Sequence, residues 1–305
     1  MASILIFGTD NLPGFSRQRG IILVVVLWVV TLLSIMAASF AYSMRTETTL
    51  ATHSVGRAQA RALAEAGIAY AMMHMLSPRA AQDWPADGSI REWQFGDGRM
   101  QISVIDAGGK IDLNRASREL LGGLLSTIGG VSDDSLDSLL DAIEDWRDPD
   151  DIALLNGAED EAYRAAGRKI GPKNAPFEIV DELQSVLGIT PDLYQRIADE
   201  LTVYSNSPGI NPALASAATL LAVPGIDPVT VEDYIDLRAE NQSLGLPPPS
   251  PPAIGAYLSQ SRGLAYHITV DVQVESGASA FVEAVVTRER RQNELYYVRS
   301  WREGR

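Results

Sequence analysis

From Gly20 to Met44 the chain carries no charged side chain, and from Ile21 onward it is dominated by Ile, Leu and Val, with Trp28 among them. Such a segment leaves few options, since a bilayer-spanning helix needs roughly 20 apolar residues and this run supplies them. Arg17 and Arg19 precede it. Basic residues favour the cytoplasmic side, so the bulk of the chain is expected beyond the inner membrane. A simple signal anchor is one reading. A cleavable secretory signal is another, with Ala37-Ala38-Ser39 as a small-residue site, although the run exceeds the usual apolar core of about 7 to 15 residues.

The helical pattern continues past the apolar run. Between Arg45 and Leu76 the residues Leu50, Ala64, Ile68, Ala71, Met72 and Met75 fall on one apolar stripe, and Pro78 supplies a stop. One helix from Ile21 to Leu76 is predicted, about 84 Å long at 1.5 Å per residue. Its first half suits lipid and its second half suits packing on a soluble domain. Gly56 and Gly67 weaken that helix and allow a bend. Ala37, Ala38, Ala41, Ala62, Ala66 and Ala69 are small enough for close approach of other helices.

Composition narrows the function classes. The 305 residues include 25 Lys plus Arg against 39 Asp plus Glu, a formal net charge of -14, which repels nucleic acid and anionic membrane surfaces. Nucleic acid is therefore not an expected partner. There is no cysteine, so no disulfide, thiol nucleophile or thiolate metal site is possible. A cross-link in a secreted setting would have to be a hard metal ion.

Strand signals lie at the two ends of the soluble part. Gln94 and Met100 to Ile105 alternate around Gly96-Asp97-Gly98, which predicts a hairpin. Alternation returns only in Ala265 to Ser276, Ala278 to Arg291 and Glu294 to Trp301; short turns between these predict an antiparallel meander. The stretch between, 108–250, is helical by pattern. SRELLGGLLSTI, DDSLDSLLDAIEDW, EIVDELQSVL, PDLYQRIADEL, ALASAATLLAV and PVTVEDYIDLRAE each show i, i+3, i+4 spacing. LPPPSPPAIGAY follows as an extended linker. The predicted class is α+β, a long N-terminal helix plus an antiparallel sheet, with a large all-α domain inserted between strands. The expected organisation is a leader 1–20, a membrane segment 21–44, a first body part 45–107, the helical insert 108–250 and the C-terminal strands 251–305.

Most of the net charge is concentrated in one place. Between Asp133 and Arg164 stand Asp133, Asp134, Asp137, Asp141, Glu144, Asp145, Asp148, Asp150, Asp151, Glu159, Asp160 and Glu161, against Arg147 and Arg164. Alternating carboxylates in a loop can point at one centre, and an oxygen-only donor set suits calcium, not zinc. The competing reading is a solvated acidic helix end, and Asp133, Asp134, Asp137 and Asp141 fit a helix start and exposed face.

These features together resemble a known family. A basic leader ending in Gly, an immediate apolar run and a long amphipathic continuation are similar to type IV pilins and pseudopilins. The resemblance implies cleavage by a prepilin peptidase between Gly20 and Ile21 and methylation of the new N-terminus. The family usually has Glu at the fifth mature position; here that residue is Val25. The apolar fifth residue and the chain's size resemble the minor pseudopilin K family of type II secretion systems. That family carries DW-x-D-x-D and then GAE with a nearby Tyr, matched here by Asp145-Trp146-Arg147-Asp148-Pro149-Asp150, Gly157-Ala158-Glu159 and Tyr163. The resemblance implies structural calcium held by Asp148, Asp150 and Glu159, with Asp151 and Asp160 as further ligands. It also implies a filament-tip role, with the other minor pseudopilins and the major pseudopilin as partners.

Two other function classes have less support in the sequence. A membrane-anchored periplasmic hydrolase finds no support in motifs: His53, His74 and His267 are scattered, and no G-x-S-x-G, P-loop or H-E-x-x-H pattern occurs. LQSVLGITPDLYQRI and ATLLAVPGIDPVTVEDYI resemble helix-hairpin-helix units, whose Gly permits a sharp turn. A DNA-uptake factor built on them would meet phosphate with Asp227, Glu232, Asp233 and Asp236, so a helix-packing corner is the favoured reading.

Overall fold

The computed structural model describes residues 19–77, 84–252, 255–288 and 295–304. The leader as far as Gln18, and with it Arg17, lies outside these residues, as does the helix-ending Pro78. The described part divides after Gly56 into two compact units.

Helix α1 spans Arg19–Leu76 and is long and apolar enough to cross a membrane. In the first unit every residue from Ile21 to Val55 is exposed. Its hydroxyls fold back onto the helix, Thr31 donating to the Leu27 carbonyl and Ser34 to that of Val30, both at 2.8 Å. Such back-bonding satisfies polar groups without a partner in lipid. Leu50, expected on the buried stripe, is instead 64% exposed. It lies in the first unit, where no residue from Ile21 to Val55 is buried.

In the second unit, Ala60, Ala64, Ile68, Ala71, Met72 and Met75 of α1 are buried against a five-stranded antiparallel sheet. Its strands are β1 (Asp87–Phe95), β2 (Gly98–Asp106), β5 (Ala265–Val274), β6 (Ser279–Thr287) and β7 (Tyr297–Glu303), in the spatial order β1-β2-β5-β6-β7. The hairpin expected at Gly96-Asp97-Gly98 is present, with Gly96 at φ 61. The period-2 alternation of β2, β5 and β6 puts Met100, Ile102, Val104, Ile268, Val270, Val272, Val282 and Ala284 into one core with α1.

The chain leaves the sheet after β2 and returns at β5. The excursion has its own core, including Ile111, Leu120, Leu124, Ile143, Trp146, Tyr163, Phe177, Leu183, Ile197 and Leu220. It holds a short parallel pair, β3 (Ile111–Asp112) with β4 (Leu201–Thr202), and six helices: α2 (Arg118–Gly123), α3 (Asp133–Arg147), α4 (Asp160–Ala165), α5 (Pro191–Ile197), α6 (Ala217–Leu221) and α7 (Pro228–Ser243). Ser117, Thr190 and Ser216 cap α2, α5 and α6 with their hydroxyls.

Local pattern and structure differ at four places, the first being the β3–β4 pair, which puts Leu201 of PDLYQRIADEL into a strand inside an insert expected to be all-α. EIVDELQSVL forms only a 3-10 turn, Val180–Ser185, pinned by Lys173 to Glu182 at 3.0 Å and by the Leu187 N–H to the Tyr163 hydroxyl at 3.0 Å. ALASAATLLAV is helical only over α6, because Asn211 caps the turn before it by accepting the Ala213 N–H. α4 was not foreseen. In the two helix-hairpin-helix-like units, Gly188 and Gly225 adopt φ 90 and 75, and Val223, Val231 and Tyr234 turn into the core, as a helix-packing corner requires.

Candidate functional site

The acidic region is organised by one face of α3. Leu139, Leu140, Ile143 and Trp146 point into the core of the insert, and Asp141 and Asp145 lie on the same buried side. Residues four apart share a helix face, so both carboxylates meet the chain as it returns through residues 148–159. Asp141 accepts the Asn156 N–H at 3.0 Å and Arg118 at 2.5 Å. Burial pushes its carboxyl up, but the Asn156 amide and the Arg118 guanidinium outweigh it and hold the group below its usual range. Asp145, wholly buried, accepts the Ala158 N–H at 2.7 Å and the Leu154 N–H at 3.2 Å. The exposed-face expectation for Asp141 is thus corrected, because the returning loop covers it and needs an acceptor for the Asn156 amide.

Around this frame the five expected ligands behave differently. Glu159 is buried, and neither of its carboxylate oxygens has a hydrogen-bond partner; the same holds for Oδ1 of Asp148. Burial, reinforced by the negative charges of Asp145, Asp148, Asp151 and Asp150, pushes the Glu159 carboxyl up to about 7. Burial and then Asp150 and Asp145 push Asp148 up as well. Asp150 accepts the Ile152 N–H at 2.9 Å in a local turn. Asp151 accepts from the Asn174 amide at 2.6 Å, and Asp160 pairs with Arg164 at 2.5 Å. Asp160 therefore faces outward to its own helix.

Three buried, unpartnered carboxylate oxygens within a cluster of like charges are costly unless a cation joins them. Oxygen-only anionic donors fit a hard divalent ion. As the side chains stand, no group of three acids or histidines among the described residues is arranged to hold a metal. Asp145 is the member that spacing missed as a participant. The signal was present, since it sits directly before the buried Trp146 and four residues after Asp141.

The histidines do not form a hydrolytic constellation. His53 is exposed on α1, His74 contacts the rings of Tyr70 and Trp84, and His267 is half-buried in β5, 3.4 Å from the Thr202 hydroxyl.

Comparison with known proteins gives a consistent set of likenesses. Residues 102–209 match the family model of type II secretion system protein K. The chain is 29% identical over 252 residues to type II secretion system protein K of Klebsiella pneumoniae, covering 73% of this chain and 76% of that one. It is 27% identical over 259 residues to the protein of the same name from Pectobacterium carotovorum subsp. carotovorum, covering 75% and 77%. Among solved structures it resembles a chain of the GspK-GspI-GspJ complex from the enterotoxigenic Escherichia coli type 2 secretion system. The TM-score is 0.56 at 17% identity, covering 86% of this chain and 99% of that chain. This last likeness is one of fold, a long N-terminal helix with an antiparallel sheet and a helical insert.

Proposed function

We infer that this chain, a member of the type II secretion system protein K family, works as a minor pseudopilin of that system. The observation that carries the reading is the family match over 102–209, which runs from β2 into the helical insert of a pilin-like body. The family is a structural one, and an assembly protein rather than an enzyme is the reading adopted.

The physical logic follows from the chain's parts. Residues 21–44 of α1 are a single apolar anchor suited to the inner membrane, with the sheet and insert on the periplasmic side. Gly20 and Ile21, in the first turn of α1, form the bond cut by prepilin peptidase, after which Ile21 carries the methylated N-terminus. Val25 offers no carboxylate. A buried carboxylate in lipid is expensive unless it is paired, so a subunit without one forgoes the pairing that joins its neighbours along a filament. That suits a position at the tip, where this subunit initiates or caps the pseudopilus. Its partners are other minor pseudopilins and, below them, the major pseudopilin. Folded cargo crossing the outer membrane depends on that assembly.

Calcium belongs to the same reading. Glu159 and Asp148 would hold the ion, with Asp150 and Asp151 supplying further carboxylates, while Asp160, turned to Arg164 on its own helix, stands outside the set. The ion contributes positive charge that lets the buried acids ionise, and it ties a long loop in a protein without disulfides.

The test is replacement of the chain in its own host by a Gly20→Val variant. The expected result is an uncut precursor, loss of co-purification with the other minor pseudopilins and loss of secretion. Full secretion in a strain lacking the chain altogether would overturn the assembly role.

A further inference from the structure

In a chain of net charge -14, three arginines from three separate segments line one cleft. Arg115 follows β3, Arg288 follows β6 and Arg299 lies in β7; the cleft they line, between the insert and the end of the sheet, has a volume of about 530 Å³. The acid on its floor, Asp112, attracts Arg115 and offsets only part of the three positive charges. It is buried, and its oxygens are taken by the Asn114 N–H at 2.9 Å, the Asn206 N–H at 2.8 Å and the Ser205 hydroxyl at 3.1 Å.

Two of the guanidinium groups are held through Nε. Arg115 donates from Nε to the Asn206 side-chain oxygen at 3.1 Å, and Asn206 sits at φ 48, a left-handed conformation that Asn tolerates better than most residues. Arg299 donates from Nε to the Thr287 hydroxyl at 3.1 Å and lies over the Tyr297 ring. Holding Nε fixes the plane of the Arg115 guanidinium, and a guanidinium so fixed matches the fork of a carboxylate or phosphate.

The rest of the lining decides what kind of anion fits. Pro176, Val203 and Leu264 make part of the wall apolar, and Asn114 and Tyr204 add neutral polar groups. A single inorganic anion would leave most of such a volume unfilled, whereas a cleft of this size suits a ligand of drug-like bulk, such as the side chains of a short peptide segment. We propose that this cleft binds an acidic peptide segment of a partner protein, with Arg115 and Arg288 receiving its carboxylates. The proposal is independent of the secretion reading, since it rests on the cleft's own chemistry.

The experiment uses the full chain in detergent and a fluorescent hexapeptide of alternating Glu and Leu, followed by anisotropy. The acidic peptide should bind, more weakly as salt rises, and its Gln-for-Glu counterpart should not. Arg115→Gln with Arg288→Gln, both at exposed positions, should weaken binding by about tenfold or more at an unchanged melting temperature. Absence of binding to the native chain, equal binding of the Gln peptide, or equal affinity of the double variant overturns the proposal. Displacement of the peptide by inorganic phosphate at equal concentration also overturns it and marks a simple oxyanion site.

Discussion

A Cβ on Gly157 would stand 1.9 Å from Oδ2 of Asp145. The buried end of α3 and the returning loop therefore touch backbone to carboxylate, and the next residue, Ala158, donates its N–H to that same oxygen at 2.7 Å. Gly157 is required here for space, not for an unusual backbone angle. Gly157→Ala should lower stability by about 1–3 kcal/mol, the range for overpacking a filled site. Thermal unfolding of Gly157→Ala, Asp145→Ala and the double variant tests the link. The two losses should be far from additive, and additive losses would show that the contact does not matter.

The calcium reading has a sign that a chelator exposes. Without the ion, Asp148 and Glu159 are buried like charges, and removing them relieves repulsion. Asp148→Ala with Glu159→Ala should be at least as stable as the native chain in chelator. Calcium should raise the melting temperature of the native chain only, since a ligand stabilises the state that binds it. A native chain indifferent to calcium removes the ion from the account.

His267 gives a pH dependence of its own. Burial, with the Lys110 and Arg302 charges adding to it, holds the imidazole well below its ordinary 6.5. The folded chain thus keeps this ring neutral while the unfolded chain protonates it, so the contribution is present above pH 6.5 and is lost as pH falls below it. His267→Gln should lose less stability than the native chain between pH 7 and 5, approximately the window set by that ordinary value. Parallel melting curves for the two across the window would refute the assignment.

Gly67 sits inside α1, where Ala would add about 1 kcal/mol of helix propensity. Its Cβ would, however, stand 2.8 Å from Cγ1 of Val270, and a β-branched core side chain has little room to yield. Overpacking at about 1–3 kcal/mol outweighs the gain, so Gly67→Ala should destabilise. Val270→Ala in the same chain should recover the loss. Stabilisation by Gly67→Ala alone would mean that the helix stands off the sheet.

Val25→Glu should change how many copies of the chain enter the pseudopilus. The measurement is the ratio of this subunit to the other pseudopilins in cross-linked membranes. An unchanged ratio with normal secretion would count against the tip argument.

The sequence by itself determined the parts that depend on local period and length. The apolar run from Ile21, the stripe from Ala64 to Met75, the hairpin at Gly96 and the three C-terminal strands all follow from alternation or 3.6-residue spacing, which the backbone imposes wherever one face is buried. The long gap between β2 and β5 made the insertion legible too. Contacts distant in sequence decided the rest. Asp141 reads as an exposed helix residue until Asn156 folds back onto it, and Asp145 becomes a buried acceptor only because Leu154 and Ala158 return to it. The cleft of Arg115, Arg288 and Arg299 joins residues more than 170 positions apart, and no spacing along the chain encodes it. Periodicity records which side of an element faces a core, whereas the identity of what meets that side is set by tertiary packing.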